Sequence, residues 1–168
     1  MTGPSRERFF LKVGEVFASK TPTLVQTILG SCVAVSMHYR GGFGLICHAA
    51  MPHGGEARGN DFKYVDRSIR WMVDWCLSQR VDLGGVEIKI FGGSEQIQSG
   101  GLPGIGRRNI EAAHAALDEL GLRPTAADVG GPVGRKLFFD TLQGDVWIRR
   151  LDPLGSAGRE KSGSCSGR

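Results

Sequence analysis

Residues 27–52 hold the densest apolar stretch of the chain, and their pattern admits few folds. Thr27-Ile28-Leu29 runs into Gly30-Ser31-Cys32, and Val33-Ala34-Val35 continues the run. After Tyr39-Arg40-Gly41-Gly42 comes Gly44-Leu45-Ile46-Cys47-His48-Ala49-Ala50-Met51-Pro52. Val33 and Val35 alternate with Ala34 and Ser36, the spacing of β-branched residues on a half-buried pleated surface. Two such runs joined by Gly41-Gly42 predict a hairpin, Val33 to His38 antiparallel to Gly44 to Ala50. That pairing has a chemical consequence. Cys32 stands on one arm and His48, sixteen residues later, on the other, so neighbouring strands carry a thiol and an imidazole.

The rest of the chain is predicted to add strands and two helices. Phe9 to Ala18 reads as a first strand and Leu24 to Leu29 as the strand leading to the Gly30-Ser31-Cys32 corner. From Tyr64 to Ser78 the period becomes helical, with Val65, Ile69, Met72, Val73 and Cys76 on one face. Val86 to Phe91 alternates and ends at Gly92-Gly93. Asn109 to Leu120 is a second amphipathic helix, with Ile110, Ala113, Ala116, Leu117 and Leu120 on one side and Gly121 as its stop. Leu122 to Asp128 reads as a strand, and Lys136 to Asp140 with Val146 to Arg150 as a closing hairpin. The expected architecture is α+β, mixed β-sheets packed as a sandwich with two flanking helices. Residues 1–8 are expected to form a flexible arm, 9–154 a single domain and 155–168 a disordered tail of Gly, Ser and charge.

With 168 residues and 40% hydrophobic content, such a domain can bury a core without covalent staples. The net charge of +4 is dispersed in small pairs such as Arg107-Arg108 and Arg149-Arg150, the pattern of a solvated surface rather than a nucleic-acid face. Cys32, Cys47, Cys76 and Cys165 form no C-x-x-C unit and no zinc-type spacing. No apolar run approaches the roughly 18 residues of a membrane span. These features predict a soluble protein of a reducing compartment with free thiols.

A cysteine in an apolar strand is ordinarily a small packing residue, and a histidine there is ordinarily a hydrogen-bonded core group. Two local features favour chemistry at Cys32. Gly30 and Ser31 let the backbone turn sharply and expose the thiol, and amides of such a turn can face a developing oxyanion. His48 can accept the thiol proton if both side chains share a face. Thr27 and Gln26 both lie just upstream and either could orient the imidazole. Cys47 should point to the opposite face of its strand, into the core. His53 and His114 read as surface residues. Pro52 to Asp61 reads as a mobile loop bordering the site. Gly104-Ile105-Gly106-Arg107-Arg108-Asn109 is discounted as a dinucleotide fingerprint, since Asn109 replaces the last glycine and no strand runs directly into it.

Several elements, in order, resemble the CheD family of chemoreceptor glutamine deamidases. They are Leu29-Gly30-Ser31-Cys32-Val33-Ala34-Val35, His48 with Met51-Pro52, Lys63-Tyr64 with Asp66, Gly92-Gly93, Ile105-Gly106-Arg107-Arg108-Asn109 and Asp128-Val129-Gly130-Gly131. The resemblance spans about residues 9–150. It implies a cysteine-hydrolase fold like that of deamidating toxins, and a Cys-His-Thr triad with Cys32 as nucleophile, His48 as base and Thr27 as third member. Differences in spacing between family members would instead place Gln26 there. It further implies a cytoplasmic enzyme without metal or organic cofactor, acting on the cytoplasmic helices of chemoreceptors, with a CheC-type phosphatase as a further partner. Two rival readings of the residues are a binding module without chemistry and a redox-sensing thiol at Cys32.

Overall fold

The computed structural model describes residues 6–55, 61–95 and 102–152. Among these residues nine strands and two α-helices follow one another as β1 (Glu7–Phe10), β2 (Glu15–Ser19), β3 (Thr23–Leu29), β4 (Val33–Tyr39), β5 (Phe43–Ala49), α1 (Val65–Ser78), β6 (Val86–Gly92), α2 (Ile105–Glu119), β7 (Ala126–Val129), β8 (Arg135–Asp140) and β9 (Val146–Arg150). The strands form two mixed sheets, a four-stranded one ordered β1-β3-β8-β9 and a five-stranded one ordered β2-β5-β4-β6-β7. The α+β class with two sheets and two helices is therefore the observed one.

Burial explains the layering. Val25, Leu29, Leu137 and Phe139 of the first sheet meet Ala34, Ile46 and Phe91 of the second in one apolar cluster. The other face of the five-stranded sheet buries Val33, Val35, Met37, Leu45 and Cys47 beneath the helices. Strands β4 and β5 are buried along nearly their whole length. Such strands read as continuous apolar runs because both faces are covered. Helix α1 contributes Val65, Ile69, Met72, Val73 and Cys76, the predicted face, so helical period and tertiary burial agree there.

Several expectations change. The single first strand, Phe9 to Ala18, is two strands in different sheets. β1 runs parallel to β3, β2 runs antiparallel to β5, and Leu11 to Gly14 carries the chain from one sheet to the other. Period-2 alternation reports which side chains are buried, not which sheet receives them. Glu7 and Arg8, assigned to the arm, belong to β1. Helix α2 begins four residues earlier than expected, at Ile105. Gly106 reads as a helix breaker, yet a side chain there would press to 2.6 Å from the Ser94 carbonyl and 2.7 Å from that of Gly93. The buried face also differs from the expected one, because packing against the sheet favours the side carrying Asn109 and Ala112. Gly106, Asn109, Ala112, Ala113, Ala116 and Leu117 are buried, Ile110 is half-buried and Leu120 is 36% exposed. The last strand before the closing hairpin is shorter than expected, Ala126–Val129. The predicted tail, and 56–60 of the predicted loop, lie outside the described residues.

Candidate active site

The chain crosses between the sheets three times at the same end, at 11–14, 30–32 and 130–134, and the candidate residues collect beside the first two of these crossings. Thr27 points inward from β3, in phase with buried Val25 and Leu29. Gln26 lies between them in the alternation and is half-buried on the other face. His48 on β5 pairs directly with Ala34 of β4. Cys32, two residues before Ala34, is thus on the same face as His48 and its diagonal neighbour. It packs against the inter-sheet cluster while staying partly exposed.

Thr27 and His48 are joined by the shortest contact of the site. The Thr27 hydroxyl donates to the Leu11 carbonyl at 2.8 Å. Its proton being spent there, the oxygen can only accept from His48, whose Nδ1 lies 2.7 Å away. This requires the tautomer protonated at Nδ1 and leaves the lone pair on Nε2. His48 is 3% exposed, and Nε2 is buried without a hydrogen-bond partner. The resting Cys32 thiol therefore makes no hydrogen bond to it. Thr27 and His48 are brought into contact, Gln26 is not, and Cys32 shares their face.

Electrostatics keep both groups neutral at rest. Burial lowers the His48 pKa from its ordinary 6.5, opposed by the Leu11 carbonyl and the Glu15 charge. Glu15 is the cross-strand partner of His48 on β2. Burial raises the Cys32 pKa from its ordinary 9.0, opposed by its own backbone amide. Desolvation favours the uncharged form of each. Cys47 lies on the opposite face beneath the helices, where burial pushes its thiol up to about 12. His53 is an exposed loop residue whose Nδ1 lies 3.9 Å from Asp66, and His114 is half-buried on α2.

The residues that fasten the thiol corner had no role assigned to them from sequence. Gly93 N–H donates to the Cys32 carbonyl at 2.8 Å, and Ser94 N–H to that of Gly30 at 2.9 Å. Asn109 Nδ2 donates to the Ser31 carbonyl at 3.0 Å. Gly92 adopts φ +103°, and a side chain there would sit 2.2 Å from the Cys32 carbonyl oxygen, so this close approach requires glycine. The carbonyls of the corner are thus occupied, and among the described residues no backbone carbonyl meets the amides of Ser31 or Cys32. The Gly92-Gly93 pair at the end of β6 was visible in the sequence as a strand end and a family match, but not as the support of the thiol corner.

A groove of about 300 Å³ is lined by Pro52, His53, Arg108, Glu111, Ala112 and Ala115 and by none of Thr27, Cys32 or His48. It flanks the chain that follows β5 and the first turns of α2. A smaller cavity of about 50 Å³, lined in part by Thr21, Gly42 and Thr141, lies at the opposite end of the strands. Among the described residues no cluster of His, Cys, Asp or Glu could hold a metal ion. No helix among them is long and apolar enough to cross a membrane.

The chain is similar to proteins named as probable chemoreceptor glutamine deamidases. It is 40% identical over 157 residues to CheD of Maridesulfovibrio salexigens, covering 86% of this chain and 92% of that protein. It is 41% identical over 151 residues to CheD 2 of Geobacter sulfurreducens, covering 89% and 93%. CheD of the archaeon Pyrococcus abyssi is 33% identical over 146 residues, covering 83% and 89%. The family profile described as CheD chemotactic sensory transduction matches residues 50–150. With a profile match over more than half its length and relatives aligned along nearly all of it, this chain belongs to the CheD family.

Proposed function

We propose that this protein hydrolyses the side-chain amide of selected glutamines on chemoreceptors to glutamate, with Cys32 as nucleophile, His48 as general base and Thr27 as the residue that orients the imidazole. The observation that carries the chemistry is the Thr27 hydroxyl, fixed between the Leu11 carbonyl and His48 Nδ1. It leaves a bare, buried Nε2 on the face that Cys32 shares. The family supplies the substrate class. The profile match begins after His48, so the roles of the three residues rest on the motif resemblance together with the Thr27–His48 contact.

In this reading a neutral thiol meets a neutral imidazole. As Sγ bonds to the carboxamide carbon, Nε2 takes the thiol proton and the carbonyl electrons move to oxygen, where the amides of Ser31 and Cys32 receive them at the Gly30 turn. The imidazolium then protonates the departing nitrogen, which leaves as ammonia, and a thioester remains. Water gives a proton to Nε2 and attacks the thioester. The adduct expels the Cys32 thiolate, which takes the proton back from Nε2, and the carboxylic acid gives its remaining proton to solvent. Receptor glutamate is the product, in the cytoplasm where receptor signalling helices lie. A CheC-type phosphatase is the partner that the family resemblance adds.

The test is mass spectrometry of a receptor cytoplasmic fragment after incubation with the protein. A glutamine-to-glutamate mass increase at defined peptides is the expected result, and its absence at any protein concentration would sink the proposal. Thr27→Val, nearly isosteric, removes both the acceptor of Nδ1–H and the donor to Leu11. It should lower kcat by about 10- to 100-fold, as loss of an orienting group does, and stability by about 1–3 kcal/mol for the buried carbonyl left alone. Gln26→Ala should leave kcat unchanged. The reverse ranking would move the orienting role to Gln26.

The pH profile follows from the same geometry. A His48 pKa below 6.5 keeps the base form available in mild acid. A Cys32 pKa above 9.0 keeps the thiol proton available in mild alkali. The plateau of kcat/KM should therefore extend beyond both values. An acid limb centred above 6.5 would contradict the desolvated, neutral imidazole.

A further inference from the structure

We infer that Asn109 is a positioning residue whose carboxamide clamps together the two strand ends bearing Cys32 and His48. The inference rests on the reading of those two residues as the reacting pair. Asn109 lies in the first turns of α2 and is 0% exposed. Its Nδ2 donates at 3.0 Å to the carbonyl of Ser31, the residue before Cys32. The same nitrogen donates at 3.0 Å to the carbonyl of Ala50, two residues beyond His48. Both amide hydrogens are thus spent bridging the two arms of the site.

Where the clamp falls in the sheet gives it its effect. The β4–β5 ladder ends at the Val33–Ala49 pair, so Ser31 and Ala50 lie just beyond the last rung. Cys32 sits between that rung and the clamp. Strand ends fray where pairing stops, and Asn109 supplies from a helix the link that the ladder no longer gives. The helix is itself anchored at this end, since the Arg107 N–H donates to Glu95 at 2.7 Å.

The remaining atom of the carboxamide argues that the residue serves more than packing. Asn109 Oδ1 is buried without a partner, which costs folding free energy. Rotating the amide would relieve nothing, because Oδ1 would then face two carbonyl oxygens. The other buried residues of α2 beyond it are Ala112, Ala113, Ala116 and Leu117, so an apolar side chain suits this helix face. A polar residue kept in a core at such a cost is expected where function, rather than stability, selects the side chain.

The experiment compares Asn109→Ala and Asn109→Ser with Leu117→Ala, a buried position on the same helix away from the clamp. With wild type active on the receptor fragment, Asn109→Ala should lower kcat by about 10- to 100-fold with KM within about twofold, the loss expected when reacting groups drift by about an ångström. Asn109→Ser keeps one donor and should recover part of the loss. Leu117→Ala should keep its kcat despite a lower melting temperature. Asn109→Ala within about twofold of wild type, or an equal kcat loss in Leu117→Ala, overturns the inference while leaving the deamidase reading intact. Should Asn109→Ala fail to fold, Asn109→Ser against Leu117→Ala at comparable melting temperature decides in the same way. If wild type itself were inert on receptors, the deamidase reading would fail. The clamp would then be read from iodoacetamide labelling of Cys32, mapped by peptide mass. A pH dependence altered in Asn109→Ser supports it, and an unaltered one overturns it.

Discussion

Cys32→Ala is expected to yield a folded protein that no longer converts receptor glutamine to glutamate. The sulfur is partly exposed at the rim of the inter-sheet cluster, so its removal opens no deep cavity. The stability cost should stay below about 1.5 kcal/mol, the range for a small truncation at a half-open position. On the proposed mechanism activity should fall by at least about 10³-fold, because that mechanism has no covalent route without the Cys32 sulfur. Cys32→Ser sharpens the test. It keeps shape and hydrogen bonding, but a hydroxyl gives up its proton far less readily to an imidazole whose basicity burial has already lowered. The serine variant should therefore be about as inactive as the alanine variant. Receptor binding measured alongside separates the rival readings. A binding module keeps binding and never showed turnover, whereas an enzyme keeps binding and loses turnover. Full deamidation by Cys32→Ala would exclude the mechanism. A redox sensor would instead show a reversible change in binding or activity on mild oxidation of Cys32; the raised Cys32 pKa bears equally on both thiol readings, since each draws on the thiolate.

The second large effect is on stability. Arg135→Met should destabilise the fold by about 3 kcal/mol, the lower end of the cost of breaking a buried ion pair, and a shifted denaturant midpoint with unchanged slope would measure it. Arg135 is 0% exposed. Its guanidinium donates to the carbonyl and carboxylate of Asp128 and to the carbonyl of Gly130. Burial lowers its pKa while Asp128 holds it up. Methionine fills similar volume but leaves those carbonyls without donors. The estimate stays low because Asp128 is one-third exposed and keeps Arg150 at 3.0 Å. Arg135→Lys should recover little, since an ammonium cannot reproduce the planar fork. The damage should reach the site. Gly130 N–H bonds the Gly92 carbonyl, Glu95 N–H bonds that of Gly131, and Gly93 N–H holds the Cys32 carbonyl. A midpoint unchanged in Arg135→Met would show that the buried cation contributes little to folding.

What could be read in advance depended on whether the signal was local. The β4–β5 hairpin was legible because Gly41-Gly42 and the β-branched alternation act within a few residues. α1 was legible because its apolar period is complete over fourteen residues. The start of α2 was not, since Gly106 is there for contact with Ser94 and Gly93, residues far away in the chain. The split of the first strand was hidden for the same reason. β1 and β2 have similar patterns, and only their partners, β3 and β5, assign them to different sheets.

At the site the division is equally physical. Cys32, His48 and the Gly30-Ser31 turn were legible because thiol, imidazole and flexible backbone are chemical identities, and the hairpin sets the register of two of them. Whether Thr27 or Gln26 reaches the imidazole could not be decided along the chain, where they are neighbours on opposite faces of one strand. The packing of the two sheets decides it by burying the Thr27 face against β5. The same packing brings Leu11 to accept the hydroxyl proton, and so selects the histidine tautomer. In the sequence Arg135 is one of two adjacent basic residues and Asn109 the start of a predicted helix, and neither identity marks an interior position. They become interior supports only when distant carbonyls converge on them. Sequence alone determined which groups can react, because that is a property of residue type and local backbone. Tertiary structure decided which of them meet, and with which protons, because hydrogen bonds between sheets depend on positions that no local pattern encodes.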